Sequence, residues 1–328
     1  ERGWLEDEAL KSVTDGVDYV IAFLYGQRID EPESGAAWDF TALEKSLQQL
    51  EALSVPYQLG AITLGTASHL DSGGRLKART THRSMLDLID NRSLKLRPGF
   101  TLEGANRRVY SLVAERRTSL GDWQLAQGDG VRVVRSASAD LEELLRLVDL
   151  WDLPGHLGQA YYRLPAETER LSLHSESLLG ALEAGSASPD LEFDVSVQRR
   201  TGRGWLLRIG LANRNREFTE LATLDHNYLS VTAPESRFSG TRIGTGDFQR
   251  FELLKRTANG SVATFRQPNV VRFFLPILEG QQRVSTGDVE LIGRGEPELE
   301  LEARFLLPDG RTLELGPKTW RGGSFVEP

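Results

Sequence analysis

The sequence predicts an α/β region followed by an all-β domain. Three observations carry that prediction. Residues 17–64 alternate buried-strand and helix signals, and residues 107–135 alternate apolar and polar positions between glycine turns. Beyond residue 189 the helical period disappears and short strands take over. Elements that alternate in order call for layered α/β packing, whereas runs of short strands call for a sandwich or barrel.

Taken in order, residues 4–13 set Trp4, Leu5, Ala9, Leu10 and Val13 at helical spacing. Residues 17–25 are β-branched and aromatic between Gly16 and Gly26, the pattern of a buried strand. From Asp39, a residue type that caps helices, Phe40, Leu43, Leu47 and Leu50 repeat at threes and fours up to Pro56. Residues 57–64 read as a second buried strand. Residues 138–150, with Leu141, Leu144, Leu145 and Val148, predict a helix. A third strand over 157–164 and a helix near 175–184 follow. Between the second and third strands, Gly121-Asp122 and Gly128-Asp129-Gly130 mark turns of an antiparallel insertion of two to four strands at about 105–136. The expected boundaries are residues 1–185 for the α/β region and 191–328 for the β domain. The joint is the short linker Gly185-Ser186-Ala187-Ser188-Pro189. Seven or eight short strands in the β domain, with Pro308-Asp309-Gly310 as a hairpin turn, fit an immunoglobulin-like β-sandwich.

Composition excludes several classes. There is no cysteine, which removes disulfides, thiolate metal sites and a cysteine nucleophile. The net charge of −8 disfavours phosphate backbones as partners, so no nucleic acid is expected. Short basic spots such as Asn106-Arg107-Arg108 read as solvated strand faces. The apolar run Val20-Ile-Ala-Phe-Leu24 has the length of one strand, not of a membrane span. The chain begins at Glu1 without a signal-peptide pattern, so a removed leader or a longer parent product is expected.

The run Gly158-Gln159-Ala160-Tyr161-Tyr162-Arg163-Leu164-Pro165, with Glu169-Arg170-Leu171 and a helix through Leu178-Leu179, carries a resemblance. It resembles the last strand and helix of a largely uncharacterised bacterial family with a chitinase-like (β/α)8 barrel and an appended β-sandwich. Residues 17–25 and 57–63 fall where the sixth and seventh strands of that family would lie. Trp4-Leu5 resembles the loop after its fifth strand, and Gly121-Asp122-Trp123 its inserted hairpin. The resemblance implies a TIM barrel-like region, partial or split, because only three parallel strands can be counted where a closed barrel needs eight. The acidic motif of the fourth strand is absent. The barrel would then be completed by a second chain or by a missing N-terminal segment.

What the resemblance implies about function is a glycan-directed, glycoside-hydrolase-like protein of the bacterial envelope, periplasmic or otherwise exported, with or without catalysis. The alternative is a noncatalytic interaction or scaffold subunit whose partial barrel docks on another chain. Barrel chemistry sits at the C-terminal ends of strands. There Tyr25, Gln27, Tyr162, Arg163 and Glu167 offer the rings and planar hydrogen-bonding groups that bind sugars. Packing is the competing role for each. Glycoside hydrolysis usually takes two carboxylates. Asp30, Glu31, Glu33, Glu167 and Glu169 lie near this face without diagnostic spacing. No two of the five histidines, His69, His82, His156, His174 and His226, stand at metal-ligand spacing, so neither a metal nor another cofactor is expected. On the β domain, Trp205, Phe218, Tyr228 and Phe248 are aromatic candidates for glycan or protein contact, with core packing as the alternative.

Overall fold

The computed structural model describes residues 16–23, 40–53, 55–97, 108–162, 164, 166–183, 188–200, 204–222, 226–257, 260–293 and 295–326. The chain divides into two units, Glu1–Ala187 and Ser188–Pro328.

The first unit runs β1 (Val20–Ala22), α1 (Phe40–Glu51), β2 (Tyr57–Ile62), β3 (Thr66–Leu70), β4 (Leu76–Thr80), α2 (Met85–Ile89), β5 (Leu94–Leu96), β6 (Arg108–Ala114), β7 (Thr118–Leu120), β8 (Trp123–Leu125), β9 (Gly130–Arg135), α3 (Ser138–Trp151), β10 (His156–Tyr162) and α4 (Ser175–Leu182). β1, β2 and β10 form a parallel sheet in the order β1-β2-β10. One face of it meets the helices, because Leu47 and Leu50 of α1, Leu141, Leu144 and Val148 of α3, and Leu178 and Ala181 of α4 point the same way at helical spacing. They bury with Ala22, Tyr57, Leu59 and Ala61 in one core. α3 starts where the Asp140 carboxylate accepts the Ala137 backbone N–H at 3.1 Å. The Glu51 carboxylate, in the last turn of α1, accepts the Tyr57 hydroxyl at 2.7 Å and the Gly155 N–H at 3.1 Å, tying helix to sheet.

This is not a (β/α) barrel, whole or split, and the barrel expectation is corrected here. Among the described residues there are five sheets and four helices, and the three parallel strands form an open sheet. The reason lies just after β2. Thr66–Leu70 does not lead into a helix but pairs antiparallel with both β4 and β9. The resulting sheet, β4-β3-β9-β6-β5, draws on residues 66–96 as well as on 108–135. It is therefore a layer of its own, larger than the insertion expected at 105–136. The close approach that starts it requires Gly65, where an added Cβ would lie 1.8 Å from the Leu171 carbonyl oxygen. Gly121-Asp122 forms the β7–β8 turn, with Gly121 at φ 57°. The expected helix over 4–13 lies outside the described residues.

The second unit runs β11 (Leu191–Arg199), β12 (Gly204–Asn213), β13 (Tyr228–Thr232), β14 (Arg237–Ile243), β15 (Arg250–Thr257), β16 (Gly260–Ala263), β17 (Val270–Phe274), β18 (Arg283–Ser285), β19 (Val289–Ile292), β20 (Glu298–Leu306), β21 (Thr312–Arg321) and β22 (Ser324–Val326). Two antiparallel sheets result. One has the order β11-β12-β19-β14, with β18 also on β12; the other is β16-β15-β17-β13-β20-β21-β22. Inward residues of both, such as Leu207, Ile209 and Leu211 against Val231, Phe273 and Leu301, bury in a single core. Twelve described strands replace the seven or eight expected, and the seven-stranded sheet is larger than either sheet of an immunoglobulin domain. The buried Asn227 side chain, 1% exposed, pins three segments of this unit. Its amide donates to the carbonyls of Glu220 and Pro276 at 2.8 and 2.9 Å, and its oxygen accepts the Leu306 N–H at 2.8 Å.

Candidate functional site

The residues expected at the strand ends fare unevenly. Tyr25, Gln27 and Arg163 lie outside the described residues, as do Asp30, Glu31 and Glu33. The Tyr162 backbone closes β10 opposite Ile62. Glu167 is exposed in the turn that follows. The buried carboxylate there is Glu169, 1% exposed, which accepts the Thr81 hydroxyl at 2.6 Å and the Ala166 N–H at 2.8 Å. It ties the end of β4 to this turn.

A second cluster lies on the antiparallel sheet. His69 belongs to β3, and its Nε2 stands 2.8 Å from Asp129 Oδ2. The neighbouring Asp71 instead caps its own turn, accepting the Gly73 and Arg75 N–H groups. The His69 ring lies 5.8 Å from that of Trp123, and the Arg83 guanidinium covers Trp123 at 5.2 Å. Arg83 also donates to the Leu120 carbonyl and pairs with Asp122. Burial pushes the Asp129 carboxyl up, and the Asp71 charge adds to this. The hydrogen bonds from His69 and the Ala126 N–H, with the His69 charge, outweigh both and hold it below the ordinary carboxylate value. The arrangement is a buried cross-link between β3 and the turn entering β9. Among the described residues no group of three histidine or acidic side chains is arranged to hold a metal.

Among the described residues, one cleft with the shape of a ligand pocket is on the second unit. A cleft of about 360 Å³ is lined by Val195 and Val197 of β11, Trp205 of β12, Trp320 of β21, and Glu296 and Pro297 before β20. That volume is at the lower end of small-ligand pockets. Gly322 and Gly323 form its rim, both at positive φ in the tight β21–β22 turn. Trp205 sits opposite Arg199 on one side and Leu291 on the other, and its Nε1–H donates to the Gly295 carbonyl at 2.9 Å, which fixes the indole. The Arg199 guanidinium stands 5.8 Å from the Trp205 ring centroid. Trp320, opposite Leu299 and Phe325, is only 6% exposed and forms the floor. The cleft thus offers indole surface, an aliphatic wall and one carboxylate.

Of this site the sequence singled out Trp205. Trp320 was missed because Gly316-Pro317 interrupts the alternating pattern, and the strand is expected to end at Leu315. β21 continues to Arg321 through a bulge there: Gly316, at φ 98°, would place a Cβ 2.4 Å from the Leu301 carbonyl oxygen. The alternation in Lys318-Thr319-Trp320-Arg321 was the available signal. Phe218 and Phe248 are buried, the latter in the core. Tyr228 is half-buried under the Arg272 guanidinium at 4.2 Å.

No protein-family model matches the chain, and no curated protein matches it. Among solved structures, an inactive mutant of the GH20 exo-β-N-acetylglucosaminidase from Vibrio harveyi matches 39% of this chain at 10% identity and a TM-score of 0.25. The chain spans 18% of that enzyme's length. Chitinase ChiA74 from Bacillus thuringiensis matches over 93% of this chain and 63% of its own, at 9% identity and a TM-score of 0.30. BcpA, the major pilin subunit of Bacillus cereus, matches over 80% of this chain and 66% of its own, at 7% identity and a TM-score of 0.23. TM-scores this low define no common fold. Among the described residues no helix is long and apolar enough to cross a membrane.

Proposed function

We propose that the second unit binds a glycan in the Trp205–Trp320 cleft, and that the chain is a glycan-directed protein of the bacterial envelope, exported to the periplasm or beyond. The observation that carries this reading is the pairing of indole surface with a polar rim in one cleft. Sugar rings present C–H faces that pack on indoles and hydroxyls that need hydrogen-bond partners at the edge. Among the described residues the cleft carries one carboxylate, Glu296, whereas hydrolysis by the usual route takes two. Binding without catalysis is the function this favours. The test is titration of the full chain with neutral oligosaccharides, followed by tryptophan fluorescence, beside Trp205→Ala. Saturable binding lost in the variant supports the reading; binding of equal strength in the variant contradicts it.

A second reading, an interaction subunit, is favoured by a different observation. Tyr19 and Ile21, two residues apart at the start of the first unit's parallel sheet, are exposed at 49% and 43%. Parallel sheets are normally covered on both faces. The native mass of the protein from its source, with identification of what copurifies, tests that reading.

A further inference from the structure

We infer that the ring bound in the cleft carries a free ammonium group, so that the ligand class is a glycan containing a deacylated amino sugar. This rests on the glycan-binding reading of the same cleft and goes beyond it by naming the charge.

Glu296 is the one ionisable side chain in the lining, and it has no ion-pair or hydrogen-bond partner among the described residues. Its neighbours differ. Glu298 meets Arg321 at 3.7 Å, and Glu290 meets Arg200 at 2.6 Å. Glu296 is exposed at the mouth of the cleft, so its attraction to a cation is screened by water and acts together with the indoles beside it. The indole faces add to the same preference, because their π-electron density attracts cations. That the Trp205 ring takes a cation is visible already: Arg199 occupies that position at 5.8 Å, and it is not part of the cleft lining. An ammonium brings three donors, enough to meet Glu296 and a rim carbonyl together. An acetylated amine brings one N–H and no charge, and a uronic acid would set a second negative charge beside Glu296. Arg199, the cation beside Trp205, weakens the selection without reversing it.

The experiment compares glucosamine and N-acetylglucosamine oligomers of equal length, titrated calorimetrically into the full chain at a pH where the amine is charged. The expected result is about tenfold tighter binding of the deacylated oligomer, the scale of one exposed charge pair with a cation–π contribution. Glu296→Gln, an exposed position whose change should leave the thermal midpoint in place, removes most of the preference for the deacylated oligomer. Arg199→Ala widens the gap. Equal affinities in the unaltered protein, or a preference that Glu296→Gln leaves undiminished, overturn the inference while leaving glycan binding standing. If neither these oligomers nor neutral ones bind, the glycan-binding reading falls and takes the inference with it.

Discussion

Trp205 and Trp320 stand on different sheets of the second unit and line one cleft, the first half-buried as a wall and the second buried as the floor. Their substitutions should therefore separate. Trp320→Ala opens a cavity in the core and should cost about 3–5 kcal/mol of stability. Trp205→Ala removes a partly solvated ring, so its stability loss should be clearly smaller while ligand binding disappears. Urea unfolding of both variants measures this, and equal losses would contradict the assignment of wall and floor.

Asn227 makes three hydrogen bonds from a position closed to water. Asn227→Ala takes the side-chain amide away from the Leu306 N–H and the Glu220 carbonyl, while the Pro276 carbonyl keeps the Ala222 N–H, and should destabilise the second unit by roughly 2–4 kcal/mol. A loss below about 1 kcal/mol, the net worth of one ordinary hydrogen bond, would show that water replaces the amide.

The His69–Asp129 pair predicts an acid limb in the stability of the first unit. The folded Asp129 carboxyl lies below its ordinary value of 3.8. The stability it contributes is present in full above that pH, and is lost as pH falls below it and through the folded value. Asp129→Asn should flatten this limb. Acid limbs of equal slope in the variant and the unaltered protein would remove the pair from the account.

Tyr57 predicts the opposite limb. Burial, with the hydrogen bond and charge of Glu51, raises its phenol above the ordinary 10.0. Below pH 10.0 both states are protonated and the contribution is complete. Above that the unfolded phenol ionises first, so stability falls until the folded one follows. Tyr161, raised by burial, adds to the same limb. Tyr57→Phe should shrink the alkaline limb without abolishing it. An unchanged limb in spectrophotometrically followed unfolding would assign it elsewhere.

Local signals in the sequence foretold much of this molecule. The helical repeats of α1 and α3 read correctly, because each helix buries its own face, and the alternation in β6 and β9 marked them as strands although β9 is buried on both faces. What stayed hidden was decided by pairing over long distances. β3 looks like the end of a barrel strand until its partner β9, some sixty residues on, is known. β21 looks finished at Leu315 because a bulge admits Gly316-Pro317 inside a strand. The cleft was half legible for the same reason. Trp205 lies in an obvious strand, whereas Trp320 and Glu296 join it only once the two sheets face each other.

The most direct test is an array of neutral, acidic and amino-bearing glycans probed with the full chain and, in parallel, with Trp205→Ala. Glycan binding through the cleft predicts a defined set of bound glycans that vanishes in the variant, with amino-bearing members strongest. An empty array, or one that the variant reproduces, would contradict it.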